Sequence, residues 1–166
     1  MASSDPRVSV IVGSTSDADQ IASCRKVLER LGITHETRVL SAHRTPQELV
    51  SYVESLEERG VEVVIAAAGM AAHLAGVAAA HTRLPVLGVP MVSGSLAGID
   101  ALLSTVQMPP GVPVGSLGVG SAGAGNAAYL AARILALHDD KLAGRLADLA
   151  ESDRARIVAS ELPDTP

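Results

Sequence analysis

VVIAAAGMAAHLAGVAAA, residues 63 to 80, admits two readings, and the fold turns on the choice between them. The stretch is about as long as a membrane span, and His73 is its only polar side chain. Its β-branched residues, however, crowd into the first three positions, and the remainder is mostly Ala, which partitions weakly into lipid. A buried strand, a glycine turn and a buried helix account for the pattern better.

The same punctuation recurs on both sides. Val8 to Val12 is a run apolar at every position but Ser9 and ended by Gly13, and a helical stripe from about residue 18 to Leu31 follows, stopped by Gly32. A strand at 34–40 and a helix at 46–59, closed by Gly60, precede the strand at 61–67 and a short helix at 73–81. Then come a strand at 85–89, a helix at 96–106, a strand at 114–119, and helices at 124–137 and 139–159. Strands that are mostly apolar on both faces and alternate with helices imply a parallel sheet covered on both sides. The expected architecture is therefore one α/β domain over residues 1–166. It is a flavodoxin-like three-layer α/β/α fold with a five-stranded parallel sheet, whose ligands bind beyond the carboxyl ends of the strands.

Composition narrows the function. The chain has 166 residues, no Trp, no Phe and two Tyr, so its core must be built from aliphatic side chains and much Ala. Such cores leave broad apolar faces suited to covering by another subunit. A net charge of −5 without runs of like charge gives neither a nucleic-acid footprint nor a membrane patch. The single Cys24 lies on the stripe Ile21, Cys24, Leu28, Leu31 and reads as core. The first residues lack the features of a secretion signal, so a cytoplasmic location is expected.

Polar residues gather where three strands should end. In GSTSD (13–17), Ser16 with Asp19 or Asp17 with Gln20 would cap a helix, while the same backbone and hydroxyls would cradle a phosphate, with Asp17 on ribose. In SAHRTP (41–46), Thr45, Pro46 and Glu48 form a capping box. That leaves Ser41, His43 and Arg44 unexplained: Arg44 offers a fork for phosphate or carboxylate, and His43 can give and take a proton near neutrality. His73 opens a helix in the third loop, GMAAHLAG, where a capped structural histidine is the plainer account. His35, His81 and His138 sit at element ends, and no histidine pair or thiolate set has zinc-site spacing, so no metal is expected. GVGSAG (118–123) matches a dinucleotide fingerprint but is not followed by the second strand and its acid, so NAD is not expected and the glycines read as sites of close backbone approach. Flavin is disfavoured by the scarcity of aromatics.

Taken together, VGSTSD (12–17), SAHRTP (41–46), AGMAAHLAG (68–76), LPVLGVP (84–90), GSLAGIDALLSTVQMP (94–109) and GNAAYLAARILA (125–136) resemble the N5-carboxyaminoimidazole ribonucleotide mutase family of purine biosynthesis over nearly the whole chain. The resemblance implies an isomerase without cofactor, moving a carboxyl group from the exocyclic nitrogen of an aminoimidazole ribonucleotide to the adjacent ring carbon. It implies His43 as the acid and base, Ser14, Ser16, Ser41 and Arg44 around the phosphate, and Asp17 on the ribose. Gly69, Ala72, His73 and Leu74 would line the pocket for the base and carbon dioxide. It further implies a homo-octamer, with Leu142, Leu146, Leu149 and Ile157 of the last helix packing on neighbouring subunits. The family pattern has a second glycine and a proline where this chain has Met70 and Ala75, and commonly a basic residue at Pro110. Two alternatives stay open: a direct aminoimidazole ribonucleotide carboxylase, whose third loop lacks this histidine, and a non-catalytic nucleotide-phosphate binding module.

Overall fold

The computed structural model describes residues 5–161. Strands β1 (Val8–Val12), β2 (His35–Val39), β3 (Val63–Gly69), β4 (Val86–Met91) and β5 (Gly115–Ser116) form one sheet in the order β2-β1-β3-β4-β5, every neighbouring pair parallel. Helices α1 (Ala18–Arg30), α2 (Pro46–Glu54), α3 (Leu74–Ala80), α4 (Ile99–Val106), α5 (Gly120–Leu135) and α6 (Asp140–Val158) cover it. Residues 63–80 are a strand, a turn and a helix, and no described helix is long and apolar enough to cross a membrane.

Alternation within β1 sorts the core into two halves. Val8, Val10 and Val12 face α1 and α5, where Ile21, Cys24 and Leu28 meet the column Ala124, Ala127, Ala128, Ala131 and Ala132. Ile11 points the other way, toward Leu49 and Val53 of α2 and Leu74 and Ala78 of α3. Ser9, on that second face, is fully buried, and its hydroxyl lies 2.8 Å from Tyr52 Oη. Because Tyr52 Oη donates to Glu36, it is Ser9 that donates to Tyr52, so the buried polar group is satisfied. Arg38 and Arg59 lie over the Tyr52 ring, 5.9 and 5.6 Å from its centroid, and pair with Glu36.

Several boundaries differ from the sequence expectation for local reasons. Helix α2 ends at Glu54 because the chain tightens into three-residue turns, Ser55 N to Tyr52 O and Leu56 N to Val53 O, before Gly60 reverses it at φ 79°. Strand β5 is two residues long rather than spanning 114–119; Leu117 N still bonds Gly88 O, after which the chain turns into α5. That helix begins at Gly120, earlier than expected, and takes up two of the three glycines of the fingerprint-like stretch. Their close approach is within the chain, since any side chain on Gly123 would overlap the carbonyl of Gly118.

The last helix is only partly free for a neighbour. Leu142 and Leu149 are buried against this chain's own core and Leu146 packs beside them, so of the four residues expected to reach across subunits only Ile157 is exposed. A different stripe is bare: Val92, Leu96, Ile99, Leu103 and Val106, spaced along one side of α4 and its approach, are all about half exposed.

Candidate active site

Beyond the carboxyl ends of β1, β2 and β3 lies a cavity of about 480 Å³. Since β1 runs between β2 and β3, the loops that follow those two strands flank the loop that follows β1. Nine of the ten expected site residues line this cavity: Ser14, Ser16, Asp17, Ser41, His43, Arg44, Gly69, His73 and Leu74. The tenth, Ala72, does not; its side chain is buried and the neighbouring Ala71 takes the lining position. Gly13, Ala42, Ala68, Met70 and Ser93 also line it, and of these Ser93 carries a functional group that no sequence motif singled out.

The first loop is built from hydroxyls. A 3-10 turn over Thr15–Asp17 is capped by Ser14, whose Oγ accepts from Ser16 N at 3.2 Å and from Ser16 Oγ at 2.9 Å. With both acceptor positions used, the Ser14 proton is left to donate, which suits an anion. Asp17 occupies the cap position of α1 without a side-chain cap bond, and Gln20 turns away to Val92, so neither expected capping pair forms. Burial pushes the Asp17 carboxyl above its ordinary range, partly offset by the nearby polar groups of Ser16 and Ser14. A buried carboxyl group on the cavity wall is placed to accept hydrogen bonds from a ligand.

The second loop is closed by a different device from the expected capping box. Thr45 makes no side-chain cap bond; its Oγ1 accepts from Ser41 N at 2.9 Å and donates to Ser41 O at 3.1 Å, while Thr45 N also reaches Ser41 O. Local hydroxyl bonding of this kind competes with capping, and here the loop's own backbone wins. Ser41 Oγ accepts from Arg44 N at 3.2 Å, and Arg44 Nη2 donates to Gly13 O at 3.2 Å, tying the second loop to the end of β1. Pro46 still starts α2 at its first turn.

Between the second and third loops the imidazoles meet. His43 Nε2 lies 2.6 Å from His73 Nδ1, with ring centroids 4.7 Å apart and planes at 73°. One of the two nitrogens must carry the hydrogen between them, so each ring fixes the other's tautomer and keeps one nitrogen, His43 Nδ1 or His73 Nε2, for a ligand. His73 is thus the cap residue of α3 by backbone position, but its ring is spent on His43. The remaining histidines are elsewhere: His35 Nδ1 is 3.0 Å from Ile33 O and His81 Nδ1 is 3.3 Å from Glu54.

The third loop carries strain. Met70 has φ 56°, a left-handed conformation in which a side chain is costly, yet it is 60% exposed and earns little by burial. Gly69 beside it has no room for a Cβ, which would overlap Ser93 Oγ. Its missing side chain leaves the space in which Ser93 packs against the third loop at the cavity.

Comparison with known proteins agrees with the geometry. A family described as AIR carboxylase matches residues 7–156. The N5-carboxyaminoimidazole ribonucleotide mutase of Escherichia coli K12 is 50% identical over 95% of this chain and 92% of its own length. That of Bacillus subtilis is 48% identical over 93% and 96%. The crystal structure of Treponema denticola PurE superposes with a TM-score of 0.81 at 30% identity, covering 92% of this chain and 94% of that one. The chain belongs to the AIR carboxylase family.

Proposed function

We propose that this protein converts N5-carboxyaminoimidazole ribonucleotide to 4-carboxy-5-aminoimidazole ribonucleotide, an intramolecular carboxyl transfer in purine biosynthesis. The observation that carries the reading is the His43 imidazole, held by His73 and lining a cavity together with serine hydroxyls and the Arg44 guanidinium. The relatives described as mutases, alike over nearly the whole chain, support the choice of reaction.

The geometry suits a single-residue shuttle. With His43 Nε2–H donating to His73 Nδ1, the other nitrogen of His43 is the one that reacts. As an imidazolium, His43 gives its Nδ1 proton to the carbamate nitrogen, the N–C bond breaks, and carbon dioxide and the free amine result. The ring carbon, made nucleophilic by the amine, then attacks carbon dioxide, and the neutral Nδ1 removes that carbon's proton, restoring the imidazolium. Protons balance over the cycle and no cofactor enters. Arg44, Ser14, Ser16 and Ser41 bind the phosphate, Asp17 binds the ribose, and Gly69, Ala71, His73 and Leu74 surround the base and the migrating carboxyl. Enclosure by these small and apolar residues limits loss of carbon dioxide.

The active form is a homo-octamer in the cytoplasm, and the bare stripe from Val92 to Val106 together with Ile157 supplies apolar surface for its interfaces. Light scattering measures the assembly. The assay for function supplies purified protein with the carbamate, and in parallel with aminoimidazole ribonucleotide plus bicarbonate. Efficient use of the first and not the second supports the mutase; the reverse points to a direct carboxylase. His43→Asn is expected to lower kcat by about 10²–10⁴ while nucleotide binding persists. Undiminished turnover in that variant would remove His43 from its role.

A further inference from the structure

Ser93 follows β4 and lines the cavity, and its Oγ is buried with no hydrogen-bond partner among the described residues. Burying a hydroxyl unpaired costs stability, so such a group in a functional cavity calls for a reason. Ser116 on β5 is likewise unpaired, but it lies outside the cavity lining, so an unpaired hydroxyl alone would signify little. Three further observations single out Ser93. Its hydroxyl occupies the space that a side chain on Gly69 would take, so it stands directly over the third loop. The preceding residue is held from both sides, Gln20 Nε2 donating to Val92 O at 3.0 Å and Gln20 Oε1 accepting from Val92 N at 2.9 Å, which fixes the segment to α1. The backbone that follows is turned by Gly94 at φ 63°, Ala97 at φ 50° and Gly98 at φ 88°, a constrained path that keeps the serine where it is.

From this placement we infer that Ser93 is a substrate-contacting residue, whose hydroxyl turns about χ1 on ligand binding and donates a hydrogen bond to the migrating carboxyl group. The inference rests on the proposed carboxyl transfer and adds a residue to it. Ser93 breaks no bond. Its donor holds the carboxylate oxygen before cleavage and the carbon dioxide oxygen after it, beside the ring carbon that must capture it. Gln20, acting through the Val92 backbone, is a positioning residue for that donor.

The test compares wild type with Ser93→Ala in three readouts: the urea midpoint, kcat/KM for the carbamate, and the fraction of substrate lost as aminoimidazole ribonucleotide and carbon dioxide rather than rearranged. Loss of an unpaired hydroxyl should leave the midpoint unchanged or higher, lower kcat/KM about tenfold, and raise the lost fraction. Gln20→Ala should raise the lost fraction in the same direction. If Ser93→Ala is equal to wild type in kcat/KM and lost fraction, Ser93 makes no such contact and the inference falls alone. A lowered midpoint would mean the hydroxyl has a structural partner, and would also overturn it. If wild type does not rearrange the carbamate at all, the proposed function falls and takes this inference with it.

Discussion

Met70 offers a test of whether backbone strain in the third loop is real. Its φ of 56° lies in the left-handed region, where an L side chain costs about 1–2 kcal/mol, and glycine none. Comparing Met70→Ala with Met70→Gly removes the thioether contacts in both, so the small burial of a side chain that is 60% exposed cancels from the comparison. At an ordinary position the glycine variant would be the less stable, by about 0.4–1 kcal/mol, through the greater freedom of its unfolded chain. Relief of strain opposes that and is larger, so Met70→Gly should be the more stable by about 0.5–1 kcal/mol, a rise of about 2–3 °C in Tm for a chain of this size. Urea denaturation at equal protomer concentration measures it, since association contributes to apparent stability. A glycine variant less stable than the alanine variant would refute the strain argument.

Other outcomes follow from the same geometry. Gly69→Ala places a Cβ within 3.1 Å of Ser93 Cβ, with Met91 O at 3.4 Å, and should cost about 1–3 kcal/mol by overpacking; Ser93→Gly in the same chain should recover most of it, as read by a double-mutant cycle of urea midpoints. Because burial raises the Asp17 carboxyl, the folded state holds that proton more tightly than the unfolded one. Its favourable contribution is present below the ordinary carboxylate pKa of 3.8 and lost as pH rises through the raised value. Asp17→Asn should therefore be more stable than wild type at neutral pH and flatten the Tm profile across the acid range, while weakening nucleotide binding by calorimetry. Cys24 is buried and its thiol is pushed up to about 12, so a thiol reagent at pH 8 should label it only after unfolding. Rapid labelling of the native protein would contradict that burial.

How much of this was readable from sequence depends on the range of the interaction. Val8 to Val12 reads as a strand because every residue is apolar or small, and it is buried on both faces; the β2-β1-β3-β4-β5 order follows the flavodoxin-like expectation. The gathering of GSTSD, SAHRTP and GMAAHLAG at one sheet edge is equally legible, because parallel strands put all three loops at the same end. The bond between His43 and His73 is not, since the rings are 30 residues apart and meet across the end of β1 only in the folded chain. Thr45 shows a subtler failure: its hydroxyl has a choice between the helix start and the Ser41 backbone, and the sequence pattern is the same for both. Ser93 was invisible because its signal is a missing partner, which exists only once neighbours are known. The last helix reads as amphipathic from sequence, but periodicity does not say whose core its apolar side will meet, and Leu142 and Leu149 meet their own.

The run of side chains along β3 diminishes from Val63, Val64 and Ile65 to Ala66, Ala67, Ala68 and finally Gly69. At its narrow end Ala68 Cβ lies 3.5 Å from where a Cβ on Gly13 would be, so the floor under the ligand is little thicker than the backbone itself. The end of the strand therefore sets the room above it: a methyl group added at Ala68 takes its volume from the cavity, whereas one added at Gly69 presses on Ser93, so the space for a ligand is fixed by the last residues of a strand that otherwise serves the core.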